Sequence, residues 1–224
     1  MIRPPTRFAL ALTLPAALLV SCGPPPAQNT PDQESTDAAT AQDAFFAALA
    51  THCGKAYGGT LVSKDEADAD FVDAEMIMYV TECTDDSIAV PFHVLLDGEW
   101  DRSRTWLITR TADGVRLKHD HRHEDGEPDA VTMYGGDTAD DGTPRAQTFP
   151  VDEESIALFE REGLDASVTN IWRVEVDPAG AANGQFAYEL ARTIEGGAPE
   201  PRNFRVEFDL TNEIAPPPPA WGWE

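Results

Sequence analysis

Alternating apolar and polar residues fill much of the chain from residue 76 onward, and this pattern constrains the fold more than any other feature. It is clearest over 203–210, where Phe204 and every second residue to Leu210 are large and apolar while charged residues lie between them. Successive side chains of a β-strand point to opposite faces, so this pattern predicts strands with one buried and one solvated face.

The alternation predicts about eight to ten short strands, joined mostly as hairpins. The segments are 76–83, 87–96, 104–111, 115–123, 129–134, 145–149, 168–176, 185–192 and 203–210. Asp113-Gly114 is typical of a tight hairpin turn, and Pro91 indicates that its strand is an edge strand or carries a bulge. The acidic segment 64–75 is predicted to be a loop.

Two helices are predicted beside these strands. The first covers Gln42–Tyr57, capped by Asp43 and ended by Gly58-Gly59, and the second covers Asp152–Glu162. So many consecutive strands favour an antiparallel β-barrel or a β-sandwich, with one N-terminal helix and one short inserted helix. The layout resembles calycin-type barrels such as lipocalins.

The N-terminal segment has the order of a secretory signal. Arg3 and Arg7 precede an apolar run of about 13 residues, which is too short to span a bilayer. The closing sequence Leu19-Val20-Ser21-Cys22 resembles the lipobox of bacterial lipoproteins. That resemblance implies cleavage before Cys22, a lipid on its thiol and attachment to a membrane facing the periplasm. Because Gly23 replaces the Asp that retains enteric lipoproteins in the inner membrane, the outer membrane is favoured.

Composition divides the remaining chain into a tether, a domain and a tail. Residues 22–41 form a polar segment without large apolar side chains, so we predict a disordered tether. The folded domain is predicted over 42–215. Residues 216–224 form a proline-rich tail whose Trp221 and Trp223 either fold back onto the domain or stay loose.

The chain is strongly acidic, with a formal net charge of −24. A negative field of this size opposes binding to nucleic acid and to anionic membrane surfaces. It favours solubility and attracts cations or basic partners, so an acidic face that binds an envelope partner is one functional hypothesis.

The cysteines are consistent with an oxidising compartment. Once Cys22 is assigned to the lipid, Cys53 and Cys83 remain as an even pair, which predicts one disulfide across about 30 residues. A reactive or metal-binding pair is the alternative, although neither cysteine belongs to a CxxC motif.

The segment 115–123 carries the strongest chemical signal. On a strand, His119, His121 and His123 share one face, which begins with apolar residues and is therefore predicted to face the interior. Histidines two residues apart lie about 7 Å from each other along a strand, so His121 and His123 are candidate zinc ligands. His93 is the candidate third ligand, provided that a bulge at Pro91 turns it inward.

The histidines leave three interpretations open. They form a structural hydrogen-bond network, a metal site, or a pocket for an organic anion or for proton transfer. Trp100, Arg102, Arg104 and Trp106 add aromatic and guanidinium surfaces over 98–106, either as a ligand platform or as a barrel rim.

The motifs RTW at 104–106, LKHDHRHEDG at 117–126 and VTMYGG at 131–136 resemble an uncharacterised family of bacterial secreted proteins and lipoproteins. The similarity runs through about 44–210 and implies no activity. Our leading hypothesis is a lipid-anchored module that binds a small molecule or a metal. The alternatives are a zinc-dependent hydrolase or lyase that uses the His-x-His strand, and an acidic envelope interaction protein.

Overall fold

The computed structural model describes residues 39–223, which contain two α-helices, two short 3-10 helices and one ten-stranded antiparallel sheet. The strands are β1 Ala56–Leu61, β2 Met76–Tyr79, β3 Ser87–Leu96, β4 Glu99–Thr111, β5 Gly114–His121, β6 Tyr134–Asp137, β7 Ala146–Pro150, β8 Ile171–Val176, β9 Gln185–Arg192 and β10 Arg202–Ile214. Their order in the sheet is β6-β5-β4-β3-β2-β1-β10-β9-β8-β7. The predicted antiparallel β fold is confirmed.

The sheet curves into a nearly closed barrel, because its two end strands β6 and β7 approach each other. The backbone N–H of Asp152, just after β7, donates to the carbonyl of Gly135 in β6 at 3.0 Å. A Cβ at Gly136 would lie only 1.7 Å from the carbonyl oxygen of Pro150, so glycine permits this approach. Of the two predicted architectures, the barrel is the one that forms, and it is consistent with a calycin-like layout.

The barrel interior is filled by aromatic rings from alternating strand positions. Trp106 stacks on Phe92 at 4.9 Å and on Tyr188 at 4.4 Å between ring centroids. Phe186 and Phe208 complete this cluster. The period-two pattern therefore has the predicted cause, which is burial of one face of each strand.

The first helix, α1, spans Ala41–Ala50 and is shorter than predicted. Thr40, not Asp43, is the N-cap, and Asp43 completes a capping box by accepting from the Thr40 backbone N–H. The chain turns at Gly54, which has a φ of +81°, and enters β1. The prediction of helix up to Tyr57 was therefore wrong.

Gly58 and Gly59 lie inside β1 and do not end a helix. A Cβ at Gly59 would come within 2.4 Å of the Phe208 ring on the neighbouring strand. Glycine is needed here because an aromatic ring lies directly against the backbone.

The inserted helix α2 spans Glu153–Arg161 and is confirmed, with Asp152 as the N-cap that accepts from the Ser155 N–H. The acidic segment contains a 3-10 helix at Glu66–Phe71, and a second 3-10 helix spans Asp165–Thr169. The predicted strand 129–134 was wrong, since Tyr134 begins β6 and the residues before it form a loop.

A disulfide joins Cys53 and Cys83, with their Cα atoms 6.2 Å apart. This confirms the predicted pairing. It ties the turn after α1 to the connection between β2 and β3, and it closes a loop with a sequence separation of 30 residues.

The C-terminal tail packs on the barrel as far as residue 223. The Trp221 N–H donates to the carbonyl of Arg102 at 3.1 Å, and the Arg102 guanidinium donates to the carbonyl of Pro219 at 2.6 Å. The Trp223 indole N–H donates to the Asp120 carboxylate at 3.0 Å. The tail thus leaves β10 and reaches the outer side of β4 and β5.

The predicted signal segment, lipidation at Cys22 and most of the predicted tether lie outside the described residues. Over 39–223, none of the helices combines the length and the apolar character that a membrane span requires.

Candidate functional site

A cavity of about 210 Å³ opens at one end of the barrel. Strands β3, β4, β5, β6, β9 and β10 line it, and the 3-10 helix Glu66–Phe71 lies over it. The lining residues are Ala67, Asp68, Phe71, Phe92, Arg104, Trp106, His119, His121, Tyr134, Tyr188, Leu190, Arg202 and Phe204. Aromatic rings make up much of the wall, with imidazoles, phenols and guanidinium groups between them.

The opposite end of the barrel is covered by α1. Gln42 donates to the Thr138 hydroxyl at 3.0 Å near the β4–β5 turn, and Asp43 forms an ion pair with Arg110. The Arg110 guanidinium also lies 4.3 Å from the centre of the Phe46 ring. These contacts leave the cavity at the far end of β4 and β5.

His119 is held in one neutral form by two hydrogen bonds. Its Nδ1 lies 3.0 Å from the carbonyl oxygen of Tyr134, which only accepts, so Nδ1 carries the proton. Its Nε2 lies 2.7 Å from the Tyr188 hydroxyl and accepts from it. Burial lowers the pKa of His119 to about 3, so the ring is uncharged at neutral pH.

The His121 ring follows His119 on the same face of β5. Its Nε2 lies 3.1 Å from the Tyr134 hydroxyl, while Nδ1 has no hydrogen-bond partner within 39–223. Burial, followed by the charge of Arg104, lowers the pKa of His121 to about 4. Burial also raises the pKa of Tyr134 to about 12, so this phenol keeps its proton.

Arg104 lies directly opposite His121 in the β4–β5 ladder. Its Nη1 donates to Asp101 at 2.5 Å, and the arginine side chain is 26% exposed. Its other N–H groups have no protein acceptor among residues 39–223. Arg104 also lines a groove on the outer side, together with His121 and Trp221. Because Arg104 and His121 line both this groove and the cavity, they lie between the cavity and the surface.

An ion pair fastens the covering 3-10 helix to the barrel. Asp68, only 1% exposed, accepts two N–H groups of Arg202, one at 2.8 Å. Asp65 lies 3.1 Å from the same guanidinium. The acidic segment predicted as a plain loop therefore contributes one wall of the cavity.

Of the four candidate histidines, the structure brings only His119 and His121 to the cavity. Strand β5 ends at His121, and a turn follows in which the His123 N–H donates to the carbonyl of Glu127. The His123 side chain is 60% exposed and its Nε2 lies 3.8 Å from Asp129. The prediction that three imidazoles line one face of a strand was wrong for this residue.

His93 is buried but does not line the cavity. Phe92 points into the barrel, and the bulge expected at Pro91 lies on the partner strand, where Arg102 and Ser103 occupy the space opposite His93. Pro91 itself lies in β3, which is an interior strand and not an edge strand. His93 therefore does not join His121 as a ligand.

The described part of the chain contains no group of three or more His, Cys, Asp or Glu residues arranged to hold a metal. His121 and His123 both line the outer groove, but only His121 also reaches the cavity. The residues over 39–223 thus do not fit the zinc site that the His-x-His spacing predicted.

Sequence reasoning did not identify Tyr134, Tyr188, Asp68 or Arg202 as site residues. Arg104 and Trp106 line the cavity, as the ligand-platform interpretation of 98–106 requires, whereas Trp100 and Arg102 border a second groove on the surface, beside Pro218 and Trp221. Comparison with known protein families and with curated proteins returns no match to this chain.

Proposed function

We propose that the barrel is a binding module for a small planar organic molecule in the cavity beneath the 3-10 helix Glu66–Phe71. The supporting observation is that aromatic walls and convergent polar groups line one concave space, which is the usual composition of a ligand site. A cavity of about 210 Å³ is smaller than the pockets that hold drug-sized ligands, so it suits a ligand of about single-ring size.

The polar groups favour binding over acid–base catalysis. Both ring nitrogens of His119 are hydrogen-bonded, one to the Tyr134 carbonyl and one to the Tyr188 hydroxyl, and the ring remains neutral far below neutral pH. His121 is also neutral at pH 7. A general base works best when its pKa lies near the operating pH, so neither imidazole matches that role.

We also propose that Cys22 carries a lipid and holds the module at the periplasmic face of a membrane, with the outer membrane favoured. The lipobox-like sequence supports this proposal, and the Cys53–Cys83 disulfide is consistent with an oxidising compartment. Labelling with an alkyne fatty acid should tag the wild-type protein and not Cys22→Ser. Equal labelling of both proteins would refute lipidation at this residue.

Binding is tested with phenol, indole and benzamide as probes and the protein lacking residues 1–22. Saturation-transfer NMR should detect at least one probe, and the same probe should quench the fluorescence of Trp106. Leu190→Phe, which places a larger side chain in the cavity wall, should weaken binding while the melting temperature stays near that of the wild type. Absence of binding by all three probes, and also by the aromatic anion benzoate and the aromatic cation benzamidine, would refute the proposed function.

A further inference from the structure

We propose that the ligand is an aromatic carboxylate, held by Arg104 and His121 at its carboxylate and by the aromatic walls at its ring. This inference rests on the proposed function and names the chemical class that the cavity selects. Three features carry it: the use of two aromatic faces, the unequal pairing of the two arginines, and the Nδ1 of His121, which has no hydrogen-bond partner within 39–223.

Two of the aromatic faces are already used by the protein's own cations. The Arg104 guanidinium lies 5.6 Å from the centre of the Phe71 ring, and that of Arg202 lies 5.9 Å from the centre of the Phe204 ring. A cationic ligand would find these two cation–π positions taken. The Phe71 and Phe204 faces therefore offer a ligand cation no favourable contact, although the whole chain is acidic.

The two arginines differ in how completely they are paired. Arg202 is fixed by both oxygens of Asp68 and also by Asp65. Arg104 has one acceptor, Asp101, and retains further N–H groups of its planar fork. Arginine binds carboxylates through two parallel N–H groups, so Arg104 is the residue with capacity for a ligand anion.

His121 supplies a second donor beside Arg104. In one of the two neutral tautomers of His121, Nε2 accepts from the Tyr134 hydroxyl, which lies 3.1 Å away. In that tautomer His121 carries its proton on Nδ1, which has no protein partner over 39–223. Since residues opposite each other in an antiparallel pair have Cβ atoms about 5 Å apart, the two donors can contact one carboxylate group.

Benzoate, benzamide and benzamidine test the charge preference, because they share one shape and carry a negative, a neutral and a positive group. Isothermal titration should give the lowest Kd for benzoate, a Kd about tenfold higher for benzamide, and no detectable binding of benzamidine. The tenfold difference corresponds to one charge-assisted hydrogen bond in a partly exposed site.

Two variants that break the same ion pair separate charge recognition from structural damage. Arg104→Gln should remove the preference for benzoate over benzamide. Asp101→Asn should lower the Kd for benzoate severalfold, because it releases the Arg104 guanidinium from its competing carboxylate. The Asn side-chain oxygen still accepts from the Ser103 N–H, as Asp101 does at 2.9 Å. Melting temperatures of both variants report whether the fold is intact, and Arg104→Lys should retain part of the preference.

The outcomes distinguish this inference from the proposed function. Equal affinities for benzoate and benzamide would overturn the carboxylate assignment and leave a binding module in place. Unchanged benzoate affinity in Arg104→Gln would do the same. If neither this series nor phenol and indole bind, both the inference and the proposed function fail.

Discussion

His93 allows a quantitative test of how this barrel accommodates a buried polar side chain. It is 1% exposed, and neither ring nitrogen has a hydrogen-bond partner within 39–223. Burial lowers the pKa of His93 from 6.5 to about 4; the charge of Arg102 lowers it further, and that of Asp101 acts in the opposite direction. The folded protein therefore holds this ring in its neutral form.

We expect His93→Leu to stabilise the fold. A buried polar group without a partner costs about 1–3 kcal/mol, which leucine does not incur. The expected gain at pH 8, where the imidazole is neutral in both states, is about 1 kcal/mol after allowance for the altered side-chain shape.

The gain should increase in acid. Because the pKa of His93 is lower in the folded protein, the unfolded chain binds more protons between pH 4 and 6.5, and wild-type stability falls as the pH decreases through this window. The slope is about 1.4 kcal/mol per pH unit below 6.5, so this ring costs the wild type about 2 kcal/mol at pH 5. The total advantage of His93→Leu at pH 5 is therefore about 3 kcal/mol.

Urea unfolding followed by tryptophan fluorescence, repeated at pH 8, 7, 6 and 5, measures this difference. His123→Gln is the control, since that side chain is 60% exposed and its replacement should leave the difference from wild type constant. Acidification also reduces the repulsion among the carboxylates, but this effect is common to all three proteins. A His93→Leu advantage that does not change with pH, or a less stable variant at pH 8, would refute the reasoning.

Three further variants test other contacts. Cys53→Ser should lower the free energy of unfolding by about 3–4 kcal/mol, and reductant should then have no further effect in urea titrations. Asp68→Asn should cost about 2–3 kcal/mol and speed proteolysis within 62–75, because Arg202 loses its buried partner; unchanged cleavage would contradict this role. Trp223→Phe should lower the free energy of unfolding by about 1.5 kcal/mol, because it removes the hydrogen bond from the indole N–H to Asp120. Thermal unfolding of the variant and the wild type measures this difference.

The sequence predicted the strands best where burial of one face is continuous. The segments 87–96 and 185–192 coincide with β3 and β9, because each presents regular apolar positions to the interior. Strand β1 was missed because Ala56–Leu61 contains two glycines and is specified by its neighbours β2 and β10. The Phe208 ring lies against Gly59, and the local sequence pattern gives no indication of this contact between distant residues.

The site was only partly predictable for a similar reason. His119 and His121 follow the apolar positions of β5, so their inward direction is a local property of the strand. Tyr188 reaches His119 from 69 residues along the chain, and Asp68 reaches Arg202 across 134. Such contacts depend on the order of strands around the barrel. The prediction that His123 joins His119 and His121 was wrong because the β4–β5 ladder stops at His121 and the turn that follows redirects the backbone.

The narrow seam between β6 and β7 has a consequence for self-association. While the hydrogen bond from Asp152 to Gly135 holds it together, the two end strands lie too close at Gly136 and Pro150 for a strand of another molecule to enter between them. Conditions that separate the two strands expose the unpaired peptide N–H and C=O groups of both strand edges on one chain, one edge on either side of the opening. Copies opened in this way would pair with one another through these edges. We therefore expect hydrogen exchange of the amides in β6 and β7 to precede the loss of solubility in acid or mild denaturant.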